Sequence, residues 1–117
     1  PYRAQLPEKL FDQPCQLPET DGSGNARENL LRAQKLLEEA GWVIKGGKRV
    51  HAKTGEPLKL EFLLRQPTME RVINPMRKNL ERLGIESSIR NVDDAQYQKR
   101  TDAFDFDIVS VWLNQGV

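Results

Sequence analysis

Hydrophobic positions recur along this chain with two periods, and each change of period marks a new element. Leu30, Ala33, Leu37 and Ala40 fall on one face at helical spacing. Asn25 with Glu28 three residues on predicts a capping box at the start of that helix. Gly41 supplies the left-handed stop that a helix end favours, and Trp42 just beyond it can fold back on the last turn. A stretch punctuated by glycine follows, with turns at Gly46-Gly47 and Thr54-Gly55 around the short run Lys48 to Ala52, which suggests a small surface ribbon.

From Leu58 onward strand and helix patterns alternate. Leu58, Leu60, Phe62 and Leu64 interleave with Lys59 and Glu61, predicting a strand with one buried face. Pro67 suits a first helical position, where its missing N–H would be unbonded anyway. Met69, Val72, Ile73, Met76, Leu80 and Leu83 then form an apolar stripe ending at Gly84, with Pro75 inside it predicting a bend. Ile85 to Val92 reads as a second strand diluted by Ser87 and Ser88. Asp93 with Gln96 predicts another capping box, for a short helix through about Ala103 with Tyr97 as its largest anchor. The last strand, Phe106 to Leu113, is nearly continuously apolar and is therefore expected in the middle of the sheet.

The order strand, helix, strand, helix, strand implies an α/β fold: a small, mixed, mostly parallel sheet joined by right-handed crossovers, preceded by an arm and one helix. The arm is residues 1–24, where Pro1, Pro7, Pro14 and Pro18 and the run Asp21-Gly22-Ser23-Gly24 block both helix and inner strand. Leu6, Leu10, Phe11 and Leu17 would anchor it on a neighbour. Residues 25–117 form the α/β portion. In such sheets ligands lie beyond the carboxyl ends of the strands, here Arg65-Gln66, Asn91 to Asp94 and Asn114-Gln115-Gly116.

Composition narrows the function without naming it. The 117 residues make one modest domain, and 18 basic against 17 acidic side chains leave +1, with no block of either sign. A dedicated nucleic-acid surface therefore has no electrostatic support. No apolar run approaches the roughly 20 residues that span a bilayer. The chain starts at Pro1 and stops at Val117 directly after an apolar run, so both ends are expected to be cut from something longer.

Chemistry-bearing residues are sparse. His51 is the single histidine and stands beside Lys53 without ligand-type partners, and Cys15 is the single cysteine, so neither a metal site nor a nucleophile–base pair is expected. Asp102, Asp105 and Asp107 lack the glycine and closing glutamate of a calcium loop, and Asp105 and Asp107 fit the entry of the final strand instead. No cofactor is expected. Trp112 at the end of the last strand, followed by Asn114, Gln115 and Gly116, pairs a flat apolar plate with amides, which suits ligand capture, or else Trp112 simply fills core. With Gln66, these are the candidate ligand-binding residues.

Several segments together resemble the family 5 extracellular solute-binding proteins, the peptide and nickel class of ABC importer receptors. They are Ala26-Arg27-Glu28-Asn29-Leu30 through Leu36-Leu37-Glu38-Glu39-Ala40-Gly41-Trp42, then Gly55-Glu56-Pro57-Leu58-Lys59-Leu60-Glu61-Phe62, Leu83-Gly84-Ile85, and Phe104-Asp105-Phe106-Asp107-Ile108. Gln66-Pro67, Glu70-Arg71-Val72 and Thr20 to Asn25 look most like Yej-type receptors for peptides and peptide antibiotics such as microcin C. The resemblance implies part of the C-terminal lobe of a type II periplasmic-binding-protein fold, peptide or peptide-like ligands held between two lobes, an ABC permease as partner, and a periplasmic or lipid-anchored location. It implies no enzyme activity. It also matches Trp112 to a tryptophan lining the ligand cleft of oligopeptide receptors. Those receptors follow it with an aspartate for the peptide amino terminus; Asn114 and Gln115 cannot form that charge-assisted bond. Two other classes compete with this reading: a ferredoxin-like module binding RNA or protein on its sheet, and a small α/β enzyme domain.

Overall fold

The computed structural model describes residues 3–8 and 16–111. Helix α1 spans Arg27–Glu39, and a hairpin of β1 (Trp42–Lys45) and β2 (Lys48–His51) follows it. Then come β3 (Lys59–Leu64), a 3-10 turn at Pro67–Met69, α2 (Glu70–Arg82), β4 (Glu86–Asn91), α3 (Asp94–Asp102) and β5 (Ile108–Val109). The second sheet has the order β4-β3-β5, and β3 pairs in parallel with both neighbours. That is a βαβαβ unit. A ferredoxin-like sheet is antiparallel, so that competing fold is overturned.

The crossovers leave β3 toward β4 and return past it to β5, so right-handed connections place α2 on one face of the sheet and α3 on the other. Phe62 and Leu64 face α2 and form the core with Ile73, closed by Met69, Leu80, Ile89 and Ile108. Leu63 points the opposite way and is also fully buried. The expectation of one buried face for this strand is thus corrected: its carboxyl half is covered on both.

The same fact corrects the expected centre of the sheet. Among the described residues β5 is short and pairs with β3 alone, while β3 holds the middle. The contiguous run Phe62-Leu63-Leu64 is the signal of a doubly covered strand. The Asp107 carboxylate accepts a hydrogen bond from the Glu61 backbone N–H at 2.8 Å, so this aspartate does mark the entry of β5.

Among the described residues, two helix starts differ in quality. Asp93 caps α3: its carboxylate accepts from the Gln96 N–H at 2.8 Å, and the Gln96 side chain donates to the same carboxylate at 3.1 Å. The box expected at Asn25 does not form. Ala26 is the cap residue and offers no side-chain bond, while Asn25 Oδ1 accepts only a long bond from the Arg27 N–H at 3.3 Å. Asn25 is instead tied into the preceding turn, where Asp21 accepts from Ser23 and the Ser23 hydroxyl accepts from the Asn25 N–H. Short polar side chains that bond locally compete with helix initiation in this way.

Helix α2 runs unbroken through Pro75. The bond lost there would have gone to the Arg71 carbonyl, and both residues are exposed, so water can satisfy that carbonyl. Of the predicted stripe, Ile73 and Leu83 are buried, whereas Val72 and Met76 are exposed.

The ribbon at Lys48 to Ala52 is the second strand of a hairpin, and it is not a surface feature. Arg49 and Val50 are buried. Arg49 donates through Nε to the Leu83 carbonyl at 2.9 Å and through Nη1 to the Trp42 carbonyl at 3.2 Å. Its backbone N–H reaches the Gly84 carbonyl at 2.8 Å, and its own carbonyl accepts from the Leu58 N–H at 2.8 Å. One residue thereby locks the hairpin to the end of α2 and to the amino ends of β3 and β4. A cation against the last carbonyls of a helix also meets the negative end of its dipole. Gly84, at φ 77°, is needed twice: for the left-handed turn, and because a Cβ there would lie 2.7 Å from Ile44 Cδ1 and 2.9 Å from the Arg49 nitrogen. His51 packs edge-on against Trp42 with ring centroids 5.2 Å apart, and its Nδ1 accepts from the Lys53 and Thr54 N–H groups.

Of the arm, the described part holds a single 3-10 turn, Arg3–Gln5. Leu6 and Leu17 are exposed, and Leu10 and Phe11 lie outside the described residues. The Asn29 side chain donates to the Glu19 carbonyl at 3.0 Å.

Candidate functional site: the carboxyl ends of the parallel strands

All three parallel strands point their carboxyl ends the same way, so Arg65-Gln66, Asn91 to Asp94 and Ser110-Val111 gather at one edge. The Val92 N–H donates to the Leu64 carbonyl at 2.9 Å and carries the β3–β4 ladder to that edge. Gln66 leaves β3 in an extended conformation (φ −126°, ψ 117°) and caps the 3-10 turn that Pro67 begins, with its side chain exposed. Its neighbour Arg65 lies over the Tyr97 ring, the guanidinium carbon 5.5 Å from the centroid, with Nη1 3.9 Å from Asp94 Oδ1. Such a stack holds a long flexible cation in place while leaving donors free.

Tyr97 ties the edge together. Its hydroxyl donates to the Ser110 carbonyl at 2.6 Å, so α3 fixes the point where the chain leaves β5. Asn91 Nδ2 donates to Glu70 Oε1, joining the end of β4 to the start of α2. Leu63, Leu64, Arg65, Gln66, Met69, Tyr97 and Ser110 enclose a cavity of about 20 Å³, room for about one water. This edge is an open face of polar groups, not an enclosed pocket.

Of the residues expected to bind ligand, Gln66 stands on this face; Trp112, Asn114, Gln115 and Gly116 lie outside the described residues. Arg65 falls in a strand-end segment that the sequence marked, but its stack on Tyr97 and the Tyr97–Ser110 bond were not foreseen. The bond to a main-chain carbonyl in another element leaves no trace in sequence. A wider groove, about 690 Å³, lies elsewhere: Gly47, Lys48, Arg77, Lys78 and Gly84 line it at the amino ends of the strands. Among the described residues no three His, Cys, Asp or Glu side chains gather at metal-binding distance.

The profile of bacterial extracellular solute-binding proteins, family 5 Middle, matches residues 6–117. The chain belongs to the family 5 extracellular solute-binding proteins. It is 44% identical over 113 residues to the Uncharacterized protein YejA of Escherichia coli K12, covering 96% of this chain and 19% of that one. It is 40% identical over 113 residues to the Probable peptide-binding protein YejA of Agrobacterium fabrum, covering 96% and 18%. The solved structure of an oligopeptide-binding protein OppA superposes with a TM-score of 0.61 at 28% identity, covering 68% of this chain and 13% of that one. The chain thus spans about a fifth of the length of its family 5 relatives. The fold is that of part of a type II periplasmic binding protein, as the sequence implied.

Proposed function

We propose that the family 5 receptor containing this chain captures peptides or peptide-like ligands between two lobes and delivers them to an ABC permease, outside the cytoplasm and without catalysis. The observation that carries this is the wall at the strand ends, where Arg65, Gln66 and the Tyr97–Ser110 bond set polar groups on a rigid sheet. It is supported by the names of two similar proteins, one a probable peptide-binding protein and one an oligopeptide-binding protein. The amide of Gln66, and those of Asn114 and Gln115 further on, suit a peptide's main-chain donors and acceptors, with Gly116 allowing close backbone approach and Trp112 supplying apolar area.

With a wall but no enclosure, these 117 residues alone bind no peptide tightly; the second lobe and a hinge complete the cleft. Calorimetry on the full-length receptor with a defined peptide library tests the reading. Trp112→Ala is expected to weaken binding by about tenfold or more, the cost of losing a large desolvated aromatic contact. Unchanged affinity would remove Trp112 from the site, and failure of every peptide to bind the parent receptor would remove the ligand class.

A further inference from the structure

Among the described residues three helices end with a residue in the left-handed conformation, and two of them use glycine. After α1 the residue is Gly41 at φ 88°, and after α2 it is Gly84 at φ 77°. After α3 it is Phe104, at φ 55°, the one non-glycine residue at positive φ among the described residues. The turn itself is well formed: the Phe104 N–H donates to the Thr101 carbonyl at 3.1 Å and the Asp105 N–H to the Arg100 carbonyl at 2.8 Å, the pair of bonds that closes a helix end. A side chain with a Cβ is disfavoured in that conformation, and a bulky aromatic has no local hydrogen bond to offset it. Nor does burial offset it here, since Phe104 is 82% exposed.

Backbone strain and an exposed aromatic ring at one residue need a common cause, and a contact absent from these 117 residues supplies one. The relatives that the chain matches carry polypeptide to make it: the chain spans 19% of the length of one and 18% of another. Phe104 sits where α3 hands over to β5, at the opposite end of α3 from the proposed ligand wall, so its partner is not the ligand. We propose that Phe104 is a docking anchor, its ring buried by a segment of the same receptor outside these 117 residues. The inference rests on family membership and chain length and is independent of what the receptor binds.

The test uses the full-length receptor and turns on a sign. If the ring is buried there, Phe104→Gly removes more packing than the strain it relieves, and the thermal midpoint falls by about 2 °C or more. If the ring is exposed there too, glycine only relieves strain and the midpoint rises, which overturns the proposal. A second variant guards against a global effect. Phe104→Cys in the folded receptor, followed by maleimide labelling read on the peptide carrying residue 104, is expected to react roughly tenfold or more slowly than after unfolding. Labelling at the unfolded rate would contradict the proposal and point to a second copy or a membrane partner as the missing cover.

Discussion

Arg49 and Arg65 stand at opposite ends of the same parallel strands and are used in opposite ways. The Arg49 side chain is 1% exposed and gives its donors to two main-chain carbonyls, while the Arg65 side chain is 46% exposed and rests on an aromatic face. The first end is closed: hairpin, α2 terminus and strand starts share one arginine and a glycine that admits no side chain. The second end is a rim of polar groups fixed at their bases. On the proposed function, the sheet keeps its rigidity at one end and offers recognition at the other. Stability and ligand affinity should therefore respond to different substitutions.

The largest effect is expected at the closed end. Arg49→Ala leaves the buried Leu83 carbonyl and the part-buried Trp42 carbonyl without their donor and should cost about 3 kcal/mol by denaturant unfolding, with ligand affinity of the surviving folded receptor unchanged. Gly84→Ala comes next, at about 2 kcal/mol, because left-handed strain adds to a clash with the Arg49 backbone. Gly41→Ala is its control: nothing lies within 4 Å of the added Cβ, so only the strain of about 1 kcal/mol remains. Equal costs at the two glycines would break the picture of a tightly packed junction.

At the open end, Tyr97→Phe removes one hydrogen bond to Ser110 and should cost only about 1 kcal/mol of stability. Its affinity should fall further than that of Arg49→Ala, since it loosens the wall itself. The smallest effect lies in the turn before α1. There the Ser23 hydroxyl and amide hold the Asp21 carboxyl below its ordinary value of 3.8. The Ser23 bonds are thus fully present above pH 3.8 and lost as pH falls through the lowered value. Carboxyl NMR titration should give an Asp21 midpoint below 3.8, and Ser23→Ala should return it toward that value.

How much of this was legible in sequence follows from which interactions are local. The cap at Asp93, the stop at Gly41 and the strand–helix alternation from Leu58 all depend on residues a few positions apart, and they appear where the sequence put them. Arg49 read as one more charge on a surface ribbon because its partners are in β1 and 34 positions away at Leu83. The central strand was misjudged for a related reason. Residues 106–113 carry the longer apolar run and β3 reads as alternating, and only the pairing on both sides of β3 shows which of them is central among the described residues. For the site, the strand-end rule located the edge and Gln66 but not the Arg65–Tyr97 stack, which needs α3 brought against β3.

Hydrogen–deuterium exchange on the full-length receptor, with and without a bound peptide, tests the division between the two ends most directly. Peptide is expected to slow exchange in residues 65–70, 91–97 and 110–116 and to leave 42–51 and 83–86 unchanged. Protection centred on the hairpin and Gly84, with none at the strand ends, would contradict the account and move the site to the groove beside Arg77.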